Sequence, residues 1–124
     1  MLYKISFSLA AVYGAAVVGL SAVTMHLGLQ RLDAAELSVV ISALSMLALH
    51  TVAILAVSAR PAAGRLLAAT LLCWHLGSWL FVYTLMAGAW LLPLHFSRLA
   101  PIGGQLMILG WLLLAISPWF GKRA

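Results

Sequence analysis

The chain has 124 residues, of which 65% are hydrophobic and only 7% are charged. A water-soluble domain is roughly half apolar and about a quarter charged, and one of this length has too little interior to hide so much apolar surface. The formal charge of +5 comes from seven basic residues set singly or in pairs between apolar runs, which is not the basic stripe interleaved with aromatics that marks a nucleic-acid surface.

Four apolar runs follow one another, at residues 5–29, 37–59, 66–92 and 102–120. Each is long enough to cross roughly 30 Å of hydrocarbon as a helix rising about 1.5 Å per residue. Inside lipid a helix satisfies its own backbone, and the runs lack the alternation of polar and apolar residues that a barrel wall needs. The expectation is an all-α fold: an integral-membrane four-helix bundle forming one domain over residues 1–124.

The breaks between runs are short. "QRLDAAE" (30–36) holds both acidic residues, Asp33 and Glu36. Two carboxylates so placed are expected to meet solvent or lipid headgroups rather than to act as a catalytic pair. "SARPAAGR" (58–65) combines a proline, a glycine and two arginines, "LPLHFSRLAP" (92–101) has two prolines, a histidine and an arginine, and "GKRA" closes the chain. Connections of this length make neighbouring helices antiparallel. One side then carries Lys4, Arg60, Arg65, Lys122 and Arg123, and the other only Arg31 and Arg98. The positive-inside rule therefore predicts both termini in the cytoplasm, in a bacterial-type inner membrane. Lys4 before an apolar stretch, with small residues near Ser21 and Ala22, also has the outline of a secretory signal, but the run is long for one.

Lipid supplies no hydrophobic drive for helix association, so small residues that let backbones approach matter more. Ala11, Ala15 and Gly19 recur every four residues in the first run, with Ala22 on nearly the same face. Ser38, Ser42 and Ser45 form a small polar stripe in the second, Gly77 and Ser78 lie in the third, and Gly103, Gly104 and Gly110 in the fourth. The expected use is packing within one bundle, with a partner protein as the alternative. Tyr3, Phe7, Trp90, Trp119 and Phe120 fall near the expected interfaces, where amphipathic rings settle. Trp74, Trp79 and Trp111 fall deeper, and each needs a partner for its indole N–H or a place facing lipid. Cys73 is the only cysteine, so no disulfide within the chain and no cysteine-based metal spacing exists; it reads as a small buried hydrophobe.

The four histidines are the polar groups that demand an account, because a polar ring in lipid is costly unless satisfied. His50 precedes the end of the second run by about nine residues, and His75 follows the start of the third by about nine. Both should lie roughly 14 Å from the same membrane face. His26 and His95 belong to the opposite face. Two level histidines on adjacent antiparallel helices are the minimum that a b-type haem needs as axial ligands. The simpler expectation for His50 is a neutral imidazole bonded to a hydroxyl or carbonyl of a neighbouring helix. No carboxylate lies inside any run to extend a proton relay. No glycine-rich phosphate loop, zinc-protease helix or Ser/His/Asp set at a shared level is present.

"LHTVAIL" (49–55), Gly77–Ser78 and "APIGGQLMILGW" (100–111) resemble the small four-span proteins that include bacterial YgdD and the eukaryotic transmembrane protein 256 group, a domain of unknown function. Pro101, Gly103, Gly104, Gly110 and Trp111 fit that family's fourth-span pattern in order and spacing, His50 fits its second-span segment, and His26 fits its first. The departures are "SAVTMH" (21–26) in place of a glycine-rich approach to the first histidine, and "SMLAL" (45–49) in place of polar residues before the second. His75 and His95 match no position of the pattern. The resemblance implies a divergent member with no assigned activity.

These readings combine into one expectation: a non-catalytic accessory or structural subunit, without cofactor, packed among lipid against a larger membrane complex, such as a respiratory one, or against copies of itself. The alternatives are a haem b redox protein using His50 and His75, and a small permease. The permease is disfavoured by the lack of intramembrane acids and broken helices.

Overall fold

Asp33 and Glu36 start a helix. The carboxylate of Asp33 accepts the backbone N–H of Glu36 at 2.8 Å, and the carboxylate of Glu36 accepts the N–H of Asp33 at 3.0 Å. This is a reciprocal capping box, which satisfies donors that the first helical turn leaves open. The two acids thus have a structural use more specific than the solvent or headgroup contact expected of them.

The computed structural model describes residues 1–60, 64–90 and 98–120. They form four long helices: α1 (Leu2–Arg31), α2 (Ala34–Ser58), α3 (Arg65–Ala89) and α4 (Leu99–Phe120). All four are long and apolar enough to cross a membrane, and no strand occurs among the described residues. The four expected runs are therefore the four helices. No end moves by more than three residues; α4 begins at Leu99 rather than at residue 102 and takes Pro101 into its first turn, where a missing N–H leaves no intrahelical bond unmade. His95, Lys122 and Arg123 lie outside the described residues.

Two helices depart from regular geometry, and each departure has a hydroxyl beside it. In α1, residues Thr24–Gly28 form one π-helical turn, and the Thr24 hydroxyl donates to the Leu20 carbonyl at 2.8 Å. In α4, Pro118 lies inside the helix and has no N–H to give the Leu114 carbonyl. The neighbouring Ser117 hydroxyl donates to that carbonyl at 2.8 Å.

Backbone neighbours run in chain order: α1 against α2, α2 against α3, and α3 against α4 most closely of all. The α3–α4 contact depends on glycine. A Cβ on Gly77 would lie 2.8 Å from the Gly103 carbonyl oxygen, and one on Gly103 would lie 2.5 Å from the backbone nitrogen of Phe81. Neither gap admits a side chain. Gly110 leaves room for an indole, since its Cβ would meet Trp74 at 2.5 Å. Gly104 meets Phe81 only at ordinary distance. Ala10, Ala43, Ile54, Leu71 and Trp74 are wholly buried where α1, α2 and α3 converge. Val40, Leu44 and Ala89 form a smaller cluster near the other end of the bundle.

The small-residue stripes divide between two uses. Gly77, Ser78, Gly103 and Gly110 are buried, as internal packing requires. The other two stripes correct the expectation. Ala11, Ala15, Gly19 and Ala22 on α1, and Ser38, Ser42 and Ser45 on α2, are all exposed. A Cβ on Gly19 would meet nothing within 4 Å. The reason is helical phase: Ser6, Ala10 and Tyr13 supply the buried face of α1, about half a turn away from the small stripe at roughly 100° per residue. On α2 the Ser45 hydroxyl turns back to the Ile41 carbonyl at 2.8 Å, which makes an exposed serine tolerable in an apolar setting.

Candidate functional site: two imidazole networks inside the bundle

The first network ties α1 to α3, two helices whose backbones do not pack closely. His75 of α3 has its Nε2 2.7 Å from the Ser6 hydroxyl and its Nδ1 2.9 Å from the Tyr13 hydroxyl, both on α1. The Trp79 indole N–H, one turn on from His75, donates to the same Tyr13 oxygen at 2.9 Å. Ser6 and Tyr13 are seven residues apart and project from one face of α1. His75 and Trp79 are four apart and share a face of α3. The tyrosine ring meets the imidazole and the indole edge-on, with centroids 5.5 and 6.4 Å away. Either neutral tautomer of His75 leaves both ring nitrogens bonded.

The second network ties α2 to α4. His50 is buried, and its Nδ1 lies 2.8 Å from the Met46 carbonyl one turn back in α2. A carbonyl can only accept, so Nδ1 carries the proton. Nε2 is then an acceptor, and the Trp111 indole of α4 donates to it at 3.1 Å. The rings of His50, Trp74 and Trp111 form one cluster, with centroids 6.0 Å from the imidazole to each indole and 4.8 Å between the indoles. Trp74 is wholly buried, and its N–H finds no acceptor among the described residues. Of the three deep tryptophans, Trp79 and Trp111 therefore meet the need for a partner and Trp74 does not. Packing against Gly110 and the two rings holds Trp74 in place.

Haem ligation by His50 and His75 does not fit this arrangement. An axial bond needs a ring-nitrogen lone pair free to face the metal. His50 gives both nitrogens to Met46 and Trp111, and His75 gives both to Ser6 and Tyr13. The two rings also engage different helices, α4 in one case and α1 in the other. For His50 the strut reading has a changed partner: the neighbour that bonds it is an indole N–H, and the carbonyl comes from its own helix. His26 sits exposed in the π-helical turn of α1. Ser78 is buried with its hydroxyl unpaired among the described residues.

Ser6, Tyr13 and Trp79 escaped the sequence reading as bonding partners. Ser6 and Tyr13 do carry a signal, being two hydroxyl residues at positions i and i+7 on one face of a mostly apolar helix. Nothing in the local pattern ties that face to His75, which stands 69 and 62 residues away.

No curated protein and no solved structure matches the chain. A family model described as a protein of unknown function (DUF423) matches residues 20–104. The match takes in His26, His50, His75, Gly77, Ser78, Pro101, Gly103 and Gly104, and leaves outside it Ser6, Tyr13 and Trp111, which bond the imidazoles of His75 and His50. With most of its length matched, including the second and third-span segments and the opening Pro101, Gly103 and Gly104 of the fourth on which the resemblance rested, the chain belongs to the DUF423 family of proteins of unknown function.

Proposed function

We propose that this protein is a small non-catalytic subunit that packs against a larger complex of a bacterial inner membrane, with both termini in the cytoplasm. The observation that carries the reading is the outward face of α1. Ala11, Ala15, Gly19 and Ala22 turn away from the chain's own bundle, and small residues at this spacing are what allows one membrane helix to approach another. The serine stripe of α2, also exposed, offers a second such face. The two imidazole networks support the same reading, because His75 is bonded to Ser6 and Tyr13 of α1 and His50 to Trp111 of α4, which gives both rings a use in holding helices together. The excess of basic residues on one side, five against two, supports the orientation.

The test is the native mass of the protein after extraction from its own membranes in a very mild detergent, combined with crosslinking in intact membranes. Co-migration with a larger assembly, with crosslinks through Ala15 and Gly19, is the expected result. A monomer whose crosslinks reach only lipid would overturn it, and a ladder of self-crosslinks would replace the complex with a homo-oligomer.

A further inference from the structure

The cleft between α1 and α3 has a floor. At mid-depth the Tyr13 hydroxyl holds Trp79 and His75 across the gap. Beyond that bridge, toward the face where α1 ends, the two helices leave an open groove of about 570 Å³. Leu20, Leu47, Val82 and Met86 line its length and Trp90 stands at its outer end. From Trp79 to Trp90 the groove runs roughly 17 Å along α3, at about 1.5 Å per residue. One leaflet of hydrocarbon is roughly 15 Å deep.

We infer that this groove holds one acyl chain of a phospholipid drawn from the leaflet on that side. Three features select this occupant. A partner helix spans both leaflets, and the Tyr13–Trp79 bridge closes the cleft at its middle. A ligand with a polar ring at the deep end would need a polar wall there. The wall is almost wholly apolar, and the Ser78 hydroxyl is covered rather than presented to the groove. At the mouth, Trp90 caps the end of α3, the interfacial level where amphipathic rings settle, and Arg31, the exposed last residue of α1, ends its helix on the same face outside the groove lining. A chain entering from one leaflet and ending at the Tyr13–Trp79 bridge fills the length, and its head stays at the interface.

The test uses the full chain reconstituted in vesicles of phosphatidylethanolamine and phosphatidylglycerol, then released into detergent for native mass spectrometry. One phospholipid is expected to remain after the rest are stripped. Ala16→Trp and Met86→Trp, which fill the groove, should each lower the retained fraction by about tenfold or more. Val18→Trp, on the exposed face of α1, should leave it unchanged. Because a filling variant can misfold, the wild-type chain is also labelled with a phospholipid carrying a diazirine near the end of one acyl chain. Adducts concentrated at the deep end, on Ala16, Leu47 and Trp79, and sparse at Met86 and at Val18, are the expected pattern. No retained phospholipid, retention that survives both filling variants in folded protein, a retained isoprenoid quinone, or uniform labelling would each overturn the proposal.

Discussion

The hydroxyl of Tyr13 lies 2.9 Å from Nδ1 of His75 and accepts the Trp79 indole N–H at the same distance. One phenol oxygen therefore joins α1 to α3, whose backbones do not otherwise pack closely. Tyr13→Phe keeps the ring and removes both bonds. Hydrogen bonds between membrane helices contribute on average about 0.6 kcal/mol each, and an unpaired buried donor costs more, so a loss of about 1–2 kcal/mol is expected. Unfolding by sodium dodecyl sulfate titration measures it. An unchanged midpoint would show that packing on α2 and the Ser6–His75 bond retain α1 without the Tyr13 hydroxyl.

Gly103 and Gly104 are adjacent and should respond differently to the same substitution. Gly103→Ala sets a Cβ 2.5 Å from the Phe81 backbone nitrogen, and Gly104→Ala meets Phe81 only at 3.9 Å. The first should force α3 and α4 apart and lower stability by about 1–3 kcal/mol, and the second should stay within about 0.5 kcal/mol. Thermal unfolding of the two variants in one detergent decides. Equal effects would mean that the α3–α4 contact is looser than described.

His50 and Trp111 should show coupling. In a double-mutant cycle of His50→Leu and Trp111→Phe, the indole-to-imidazole bond should appear as an interaction of about 0.5–1.5 kcal/mol. The same preparation should show no reduced-minus-oxidised haem band, because neither His50 nor His75 has a ring nitrogen to spare. A band that disappears in His50→Ala would mean that the imidazoles exchange partners when haem binds.

Asp33 should behave as a cap and not as a ligand. Asp33→Ala is expected to cost about 1 kcal/mol and to raise amide exchange in the first turn of α2, whereas Asp33→Asn keeps most of the cap. Equal loss in both variants would assign Asp33 a role through its charge.

What the sequence made legible follows from the range of the forces involved. Span length and hydropathy are local properties, so the four helices and their antiparallel order could be read directly. Capping is local too: Asp33 and Glu36 stand at the capping-box spacing, and that meaning was available in the motif. Rotation about a helix axis is harder. An apolar helix in lipid has no polar side to mark its outside, which is why the α1 and α2 small-residue stripes were expected indoors and lie outdoors. Depth placed His50 and His75 at one level, but level does not determine facing, and one turned toward α4 and the other toward α1. Partners 61–69 residues apart, such as Trp111 for His50 and Ser6 for His75, leave no periodic trace in one sequence.

The separation between the ends of the α1–α3 bridge sets an order on biogenesis. Ser6 and Tyr13 emerge from the ribosome long before His75 and Trp79. While the chain is being made, α1 and α2 can form a hairpin whose inner face shows two unsatisfied hydroxyls. In an apolar membrane such a hairpin is unfinished in a specific way: it favours the next helix to arrive that brings an imidazole and an indole one turn apart. The same bonds that hold α1 in the mature bundle therefore select, during synthesis, which helix closes it.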